Sequence, residues 1–421
     1  MARTPGVEPA APRPRGAIVV TGSELVRGDR TDLNGPFLAR SLQALGVDPV
    51  EVRIVGDSAV ELETAFRNGL EHDLLIVSGG LGPTHDDRTV ELLARAAAVE
   101  LYLDEVLAAE IEARSRVRYL PGIRKQAMLP AGAIVVGIAG TAPALVLEVG
   151  SCVAVVLPGP PRELQELWPR ALGTEPMRWL LAGAVAPVRR VLRFYGVGES
   201  AVAEALEAAG GDGDGIEVTM CARETEVHID LFASPGAELR AEELEQRLVA
   251  SLDNYLFGRT DEPVEELVLE LCRARGLTLA TAESCTGGLV AARITSVPGS
   301  SDVFVGGIVS YADEVKAAEL GVPDEVLREH GAVSPETAAA MADGVRERLR
   351  ADVGVAVTGI AGPGGGTPEK PVGLVYVHAA GPDGARRAAE LNFPGDRETI
   401  RSRATVAALH LVRKLVTELV Q

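Results

Sequence analysis

The sequence predicts an α/β protein: two α/β/α sandwich domains with mostly parallel sheets, and a small α+β module between them. Three observations carry this. Short aliphatic runs at 17–21, 74–78 and 153–157 alternate with helix-period stretches, the rhythm of a parallel sheet covered on both faces. The 421 residues exceed what one hydrophobic core usually serves. Near 188–258 the rhythm gives way to a strand–helix–strand–strand–helix order.

In chain order, 17–21 reads as a buried strand, 34–45 as a helix closed by Gly46, 50–55 as a strand, 60–70 as a helix and 74–78 as a third strand. Strands at 133–136, 144–149 and 153–157 precede the turn forced by Pro158-Gly159-Pro160-Pro161. This first domain spans 16–175. In the middle module, 188–258, a strand at 190–195 leads to a helix from Glu199, strands at 216–222 and 226–232, and a helix at 241–254. The last domain, 261–421, starts with a helix at 264–275 stopped by Gly276 and a strand at 277–282. A helix at 288–295, a strand at 305–311, a helix at 335–350, strands at 353–358 and 373–379 and a final helix at 397–420 complete it. Residues 1–15 hold four prolines and no hydrophobic run, so a disordered tail is expected rather than a signal peptide.

The formal charge is −19, and the 17 basic and 23 acidic side chains from Arg259 onward show that the later part is acidic too. Neither part offers the basic face that neutralises nucleic-acid phosphates, and aromatics at 4% are too few for base stacking. No apolar run reaches membrane-spanning length. Cys152, Cys221, Cys272 and Cys285 have neither C-x-x-C spacing nor histidine partners, which fits a reducing, cytoplasmic setting.

Candidate chemistry in the last domain begins with Glu283-Ser284-Cys285-Thr286-Gly287-Gly288, where a buried strand turns into a helix. That placement exposes a hydroxyl at the strand's carboxyl end, with backbone N–H groups nearby to stabilise an oxyanion. A helix-capping serine is the plain alternative, and Cys285 is a rival nucleophile, since a helix N-terminus favours thiolates. Tyr311 and Lys316 offer a base, directly or through the phenol, against the reading of Lys316 as a solvated helix lysine. Thr358-Gly359-Ile360-Ala361-Gly362-Pro363 follows another strand and presents N–H groups to a phosphate or carbonyl. Arg397, just before the last helix, can clamp a phosphate.

Taken together, these segments resemble the CinA C-terminal domain, shared with nicotinamide mononucleotide deamidases. The matching strings are 282–288, 306–316, Gly331-Ala332-Val333-Ser334, 358–363, Lys370-Pro371-Val372-Gly373 and 393–397. The resemblance implies cofactor-free conversion of nicotinamide mononucleotide to nicotinate mononucleotide and ammonia. Ser284 is then the nucleophile, activated by Tyr311 and Lys316. Glu283, Cys285, Thr286, Gly287, Gly359, Ile360, Ala361, Gly362 and Arg397 are its substrate-binding candidates. It also implies a homodimer.

In the first domain, Thr21-Gly22-Ser23-Glu24 ends the first strand, and Gly79, Gly80, Gly82, Thr84, His85, Asp86 and Asp87 follow the third. Both loops fall on the carboxyl edge of one sheet, where α/β ligands bind. Paired carboxylates at Asp86 and Asp87 suit a hard divalent ion, unless one caps the next helix. This stretch resembles the molybdopterin-binding fold of CinA N-terminal domains, through Lys125-Gln126-Ala127, Gly140-Thr141-Ala142-Pro143 and Pro158–Glu163. That implies an ADP-ribose pyrophosphatase dependent on a divalent metal ion (Mg, Mn or Co), held at Asp86 and Asp87. Gly22, Glu24, Asn34, Gly79, Gly80, Gly82, Thr84, Lys125 and Thr141 would contact ADP-ribose. Gly137, Ala144 and Arg124 depart from the family's usual Asn, Gly and Asn, and are expected along the ligand loop. The middle module resembles the KH-like module of CinA proteins. The reading is a bifunctional pyridine-nucleotide salvage enzyme. Its alternatives are an N-terminal domain that binds pterin or nucleotide without turnover, and a competence- or damage-associated interaction protein.

Overall fold

A computed structural model describes residues 13–115 and 119–419. The expected tail at 1–15 thus lies mostly outside the described residues. Its end does not: Arg15 opens the first strand, and its N–H donates to Asp73 at 2.8 Å. The chain divides into two compact units, one running up to Val188 and including Ala233–Glu238, the other built of Arg189–Phe232 and the residues from Leu239.

In the first unit the strands are β1 (Arg15–Thr21), β2 (Asp48–Val55), β3 (Leu74–Ser78), a small ladder of β4 (Leu101–Leu103) with β5 (Met128–Pro130), then β6 (Ile134–Ala139), β7 (Ala142–Val149) and β8 (Cys152–Leu157). The main sheet runs β2-β1-β3-β8-β7-β6. β1, β2, β3 and β8 are mutually parallel, while β6 and β7 extend the sheet antiparallel. The turns at Gly140-Thr141 and Gly150-Ser151 are too short for a crossover, so those strands can only fold back. Strand alternation divides the core: Val19, Leu75 and Val77 face one helical layer with Phe66 and Leu92, while Ile18 and Ile76 face the other with Leu38 and Trp168.

The second unit opens with β9 (Val188–Tyr195), β10 (Ile216–Arg223), β11 (Glu226–Ala233) and β12 (Leu256–Gly258), in the order β10-β11-β9-β12. Its larger sheet is β13 (Leu279–Glu283), β14 (Phe304–Val309), β15 (Val353–Gly359), β16 (Leu374–Ala380) and β17 (Arg386–Asn392), ordered β14-β13-β15-β16-β17. β13 is parallel to β14 and β15, whereas β16 and β17 add antiparallel. Helices Val264–Arg275 and Arg397–Glu418 cover one face through Val268, Leu269, Ala404 and Ala408; helix Pro335–Leu349 covers the other through Met341, Ala342 and Val345.

The 188–258 module packs against the last domain within this unit. The Glu226 carboxylate bonds both to His228 Nε2 at 2.8 Å and to His410 Nε2, on the last helix, at 2.7 Å. Tyr195 stacks on the His410 ring at 3.7 Å. Burial pushes His410 down to about 4 against the opposing pull of Glu226. In the unfolded chain it titrates near 6.5. Between those values the unfolded chain holds a proton that the folded one excludes. Stability fully present above pH 6.5 is therefore lost as pH falls toward 4, by up to about 1.4 kcal/mol per pH unit. Thermal melts across that window should show Tm falling, and His410→Gln, which keeps a donor for Glu226, should flatten the dependence. An unchanged slope in that variant would refute it.

Candidate functional site

β13 ends at Glu283, and register places Glu283 beside Val309 of β14 and Val357 of β15. The lateral bonds continue one residue further: Ser284 N–H donates to Val357 O at 2.9 Å, and Ser310 N–H to Glu283 O at 2.8 Å. Ser284, Ser310-Tyr311 and Thr358-Gly359 are thereby gathered on one carboxyl edge, the Ser284 strand in the middle and each flanking strand about 5 Å from it. Ser284 is buried. Its hydroxyl has no hydrogen-bond partner among the described residues, so it is not acting as a helix cap. The helix that follows, Leu289–Thr295, is capped instead by Glu283: its carboxylate accepts N–H bonds from Gly288 (2.9 Å), Val290 (3.1 Å) and Ala291 (2.9 Å).

That capping corrects the expectation that Glu283 contacts substrate, because its oxygens are turned into the fold. Cys285 is corrected likewise. Its side chain lies in the hydrophobic core, and burial pushes the thiol up to about 11, so it is a poor thiolate despite the adjacent helix start. Thr286 is fully buried and its hydroxyl has no partner among the described residues. Gly287 is exposed at φ +60°, a left-handed turn suited to glycine.

Lys316 is 1% exposed, against the solvated-lysine alternative; Nζ donates to the Tyr311 carbonyl at 3.1 Å and lies 3.4 Å from Asp313 Oδ1. The Tyr311 phenol points outward and accepts from Arg397 Nη2 at 2.8 Å. Tyr311 lies just past β14 rather than within it. Arg397 also donates through Nη1 to Gly362 O at 2.8 Å, tying the phenol to the glycine loop. In that loop Ile360 N–H is bonded to Leu374 O at 2.8 Å, while the N–H groups of Ala361 and Gly362 have no acceptor among the described residues. Ser284, Tyr311 and Lys316 thus share a sheet edge without forming a hydrogen-bonded chain.

Arg401, one turn beyond Arg397, was missed. Its Nε donates to Cys285 O at 3.0 Å and its Nη2 to Thr286 O at 2.8 Å, fixing the Ser284 turn from the last helix. The Arg397-x-x-x-Arg401 spacing was the available signal, since residues four apart share a helix face.

In the first unit, a cavity of about 570 Å³ opens at the carboxyl edge of β1 and β3. Gly22, Glu24, Asn34, Gly79, Gly80, Gly82, Asp86, Asp87 and Thr141 line it. Lys125 lines a smaller adjoining cavity, and its ammonium bonds the Thr84 carbonyl. Thr84 lines neither cavity, but its hydroxyl meets Asp86 Oδ1 and lies 2.5 Å from Asp87 Oδ2, bringing the two carboxylates to one point. The Thr84 bond holds the Asp86 carboxyl below its usual range. Asn34 donates to Ser78 Oγ at 2.9 Å and to Gly159 O at 2.7 Å, and its buried Oδ1 has no partner among the described residues. Gly79 has φ +104°, and a Cβ there would sit 2.8 Å from Thr21 O, so only glycine permits this approach of the β3 loop to β1.

Asp32, Asp57 and Glu163 also line the cavity. Asp32 and Asp57 are single acidic residues in loops and carry no local signal, while Glu163, in the first turn of helix Pro161–Leu172, lies in the matching Pro158–Glu163 string without standing out as a ligand. Six carboxylates face it against one arginine, Arg30. The departures at Gly137, Ala144 and Arg124 do not line it, correcting the expectation that they alter the ligand loop. Ala144 is fully buried within β7, Gly137 lies at an irregularity of β6, and Arg124 pairs with Glu105 at the surface.

Residues 261–416 match the family model described as "CinA C-terminal domain", 17–175 the "Probable molybdopterin binding domain", and 189–259 the "Damage-inducible protein CinA KH domain". A CinA-like protein of Mycolicibacterium paratuberculosis is 41% identical over 431 residues, covering 96% of this chain and 99% of that protein. One from Mycobacterium marinum is 42% identical over 423 residues, again covering 96% and 99%. Among solved structures, the competence/damage inducible protein CihA from Agrobacterium tumefaciens is 42% identical, with TM-score 0.36, over 38% of this chain and 99% of that one. With such identity across almost its whole length, the chain belongs to the CinA family.

Proposed function

We propose that the last domain hydrolyses the carboxamide of nicotinamide mononucleotide to nicotinate mononucleotide and ammonia. The observation that carries this is the edge shared by an unbonded Ser284 hydroxyl, the buried Lys316 ammonium site and the Arg397–Tyr311 pair. Ser284 Oγ attacks the carboxamide carbon as its proton is taken up by Lys316 in its neutral amine form, and the lysine then returns that proton, by way of the Tyr311 phenol, to the departing nitrogen. Water then cleaves the acyl ester, restoring the serine. The unpaired N–H groups of Ala361 and Gly362 with Arg397 suit a phosphate. Ammonia release from nicotinamide mononucleotide by the purified protein is the test, and its absence at every substrate concentration tried would refute the reading.

For the first domain we propose metal-dependent hydrolysis of ADP-ribose to AMP and ribose phosphate. Among the described residues no group of three or more His, Cys, Asp or Glu side chains is placed to hold an ion. The Asp86–Asp87 pair on Thr84 fits a magnesium-type ion, which uses one or two carboxylates and completes its shell with water and substrate phosphates. When bound, such an ion would supply the positive charge that a diphosphate needs in this acidic cavity. Asn34 and the Gly79-Gly80 backbone would position the nucleotide. The joint substitution Asp86→Ala/Asp87→Ala is expected to lower AMP release by about 10²-fold, and chelation to abolish it. AMP release indifferent to chelator would sink the metal assignment. The thin ligand set also favours the second reading, binding without turnover, which predicts ADP-ribose binding and no AMP.

A further inference from the structure

The second unit holds a cavity of about 620 Å³ away from the Ser284 edge, between the edge strand β17, the last turns of helix Arg397–Glu418, and Tyr195 and Leu256 of the 188–258 module. Its volume is in the range of small-molecule sites. Ala389, Leu391 and Leu411 supply an apolar wall. Arg387, Arg413 and Lys414 also line it, and Arg387 is taken up by Glu418.

Arg413 and Lys414 have no carboxylate within ion-pair distance among the described residues, in a chain with 60 acidic and 41 basic side chains. Other arginines of this unit do find partners: Arg386 with Asp343, Arg348 with Glu319, Arg293 with Glu224 and Glu265. Arg413 instead lies over the Phe257 ring and donates to His410 Nδ1 at 3.4 Å; Lys414 Nζ lies 5.5 Å over the Tyr195 ring. Those contacts hold the two cations at the cavity without a close ion pair; Glu226 and Glu418 act on them only from a distance. Partial burial lowers both from their ordinary values. At Lys414 the neighbouring Arg413 and Arg387 add to this and Glu418, which also lines the cavity, opposes it, while at Arg413 Tyr195 and Glu226 oppose it. A bound anion would relieve the remaining cost.

We propose that this cavity is a binding site for a small organic phosphate monoester, its phosphate held by Arg413 and Lys414 and its apolar body against Ala389, Leu391 and Leu411. The guanidinium fork and the ammonium suit a tetrahedral dianion, and the wall selects for more than inorganic phosphate.

Isothermal titration of the full chain with phenyl phosphate, with inorganic phosphate and phenol as separate arms, tests this. One saturable site for phenyl phosphate is expected, weakened about tenfold or more by Lys414→Glu and retained in Arg397→Ala. Lys414 is exposed and makes only the contact over the Tyr195 ring, so its replacement should shift the melting curve little. Inorganic phosphate should bind more weakly, and phenol not at all. No saturable binding, binding unaffected by Lys414→Glu, or loss in Arg397→Ala would each overturn the assignment; inorganic phosphate binding as tightly as phenyl phosphate would overturn the role of the apolar wall.

Discussion

Replacing Ser284 with alanine is expected to lower ammonia release from nicotinamide mononucleotide by about 10³-fold or more, the scale for removing a nucleophile that acts as one unit with its base. The fold should survive, because the Ser284 hydroxyl bonds to nothing among the described residues, and the two backbone bonds that fix the turn, Ser284 N–H to Val357 O and Gly287 N–H to Ser284 O, do not involve its side chain. Substrate binding should persist, since Arg397 and the glycine loop are untouched. Cys285→Ala is the matched control: with its thiol in the core and pushed up to about 11, its loss should change stability more than rate. Ammonia release measured for both variants decides between the two nucleophiles. Undiminished release by Ser284→Ala would reject the serine assignment outright.

Glu283→Ala is expected to destabilise the second unit by about 3–5 kcal/mol. Three backbone N–H groups at the start of helix Leu289–Thr295 converge on this one buried carboxylate, and alanine leaves them all unsatisfied. The same helix start carries the Ser284 turn, so activity should fall with stability. Glu283→Gln keeps a carbonyl acceptor and should lie between wild type and alanine. Denaturant melts of the three proteins test the ranking. A Glu283→Ala protein as stable as wild type but inactive would instead return Glu283 to the substrate.

The sequence by itself determined the main strands and the helices between them, because buried strands such as Leu74–Ser78 are continuous aliphatic runs and helices such as Val264–Arg275 end on glycine. Helices Glu105–Arg114, Pro161–Leu172 and Asp324–His330 and the short Leu101–Leu103 and Met128–Pro130 ladder emerged only in the fold. Nor did the sequence show β17, whose Arg-Arg-Ala-Ala-Glu-Leu-Asn is too polar to read as a strand; an edge strand pairs on one side only and keeps charges outward. At the candidate site, Ser284, Tyr311, Lys316 and Arg397 were legible as residues, since each falls at a strand end or helix start. Their roles were not. Whether a carboxylate faces a ligand or a helix N-terminus, as at Glu283, depends on which way one side chain turns, and adjacent residues alternate in direction along a strand. Cys285 looked reactive by position and is inert by burial, a property of the packed core alone. The bonds of Glu226 to His410, 184 residues apart, and of Arg401 to the Ser284 turn join segments that no local pattern relates. Periodicity and turn chemistry are local and survive in the sequence; burial, charge pairing and side-chain direction arise only when distant segments meet, and those are what make a serine beside a helix a candidate nucleophile.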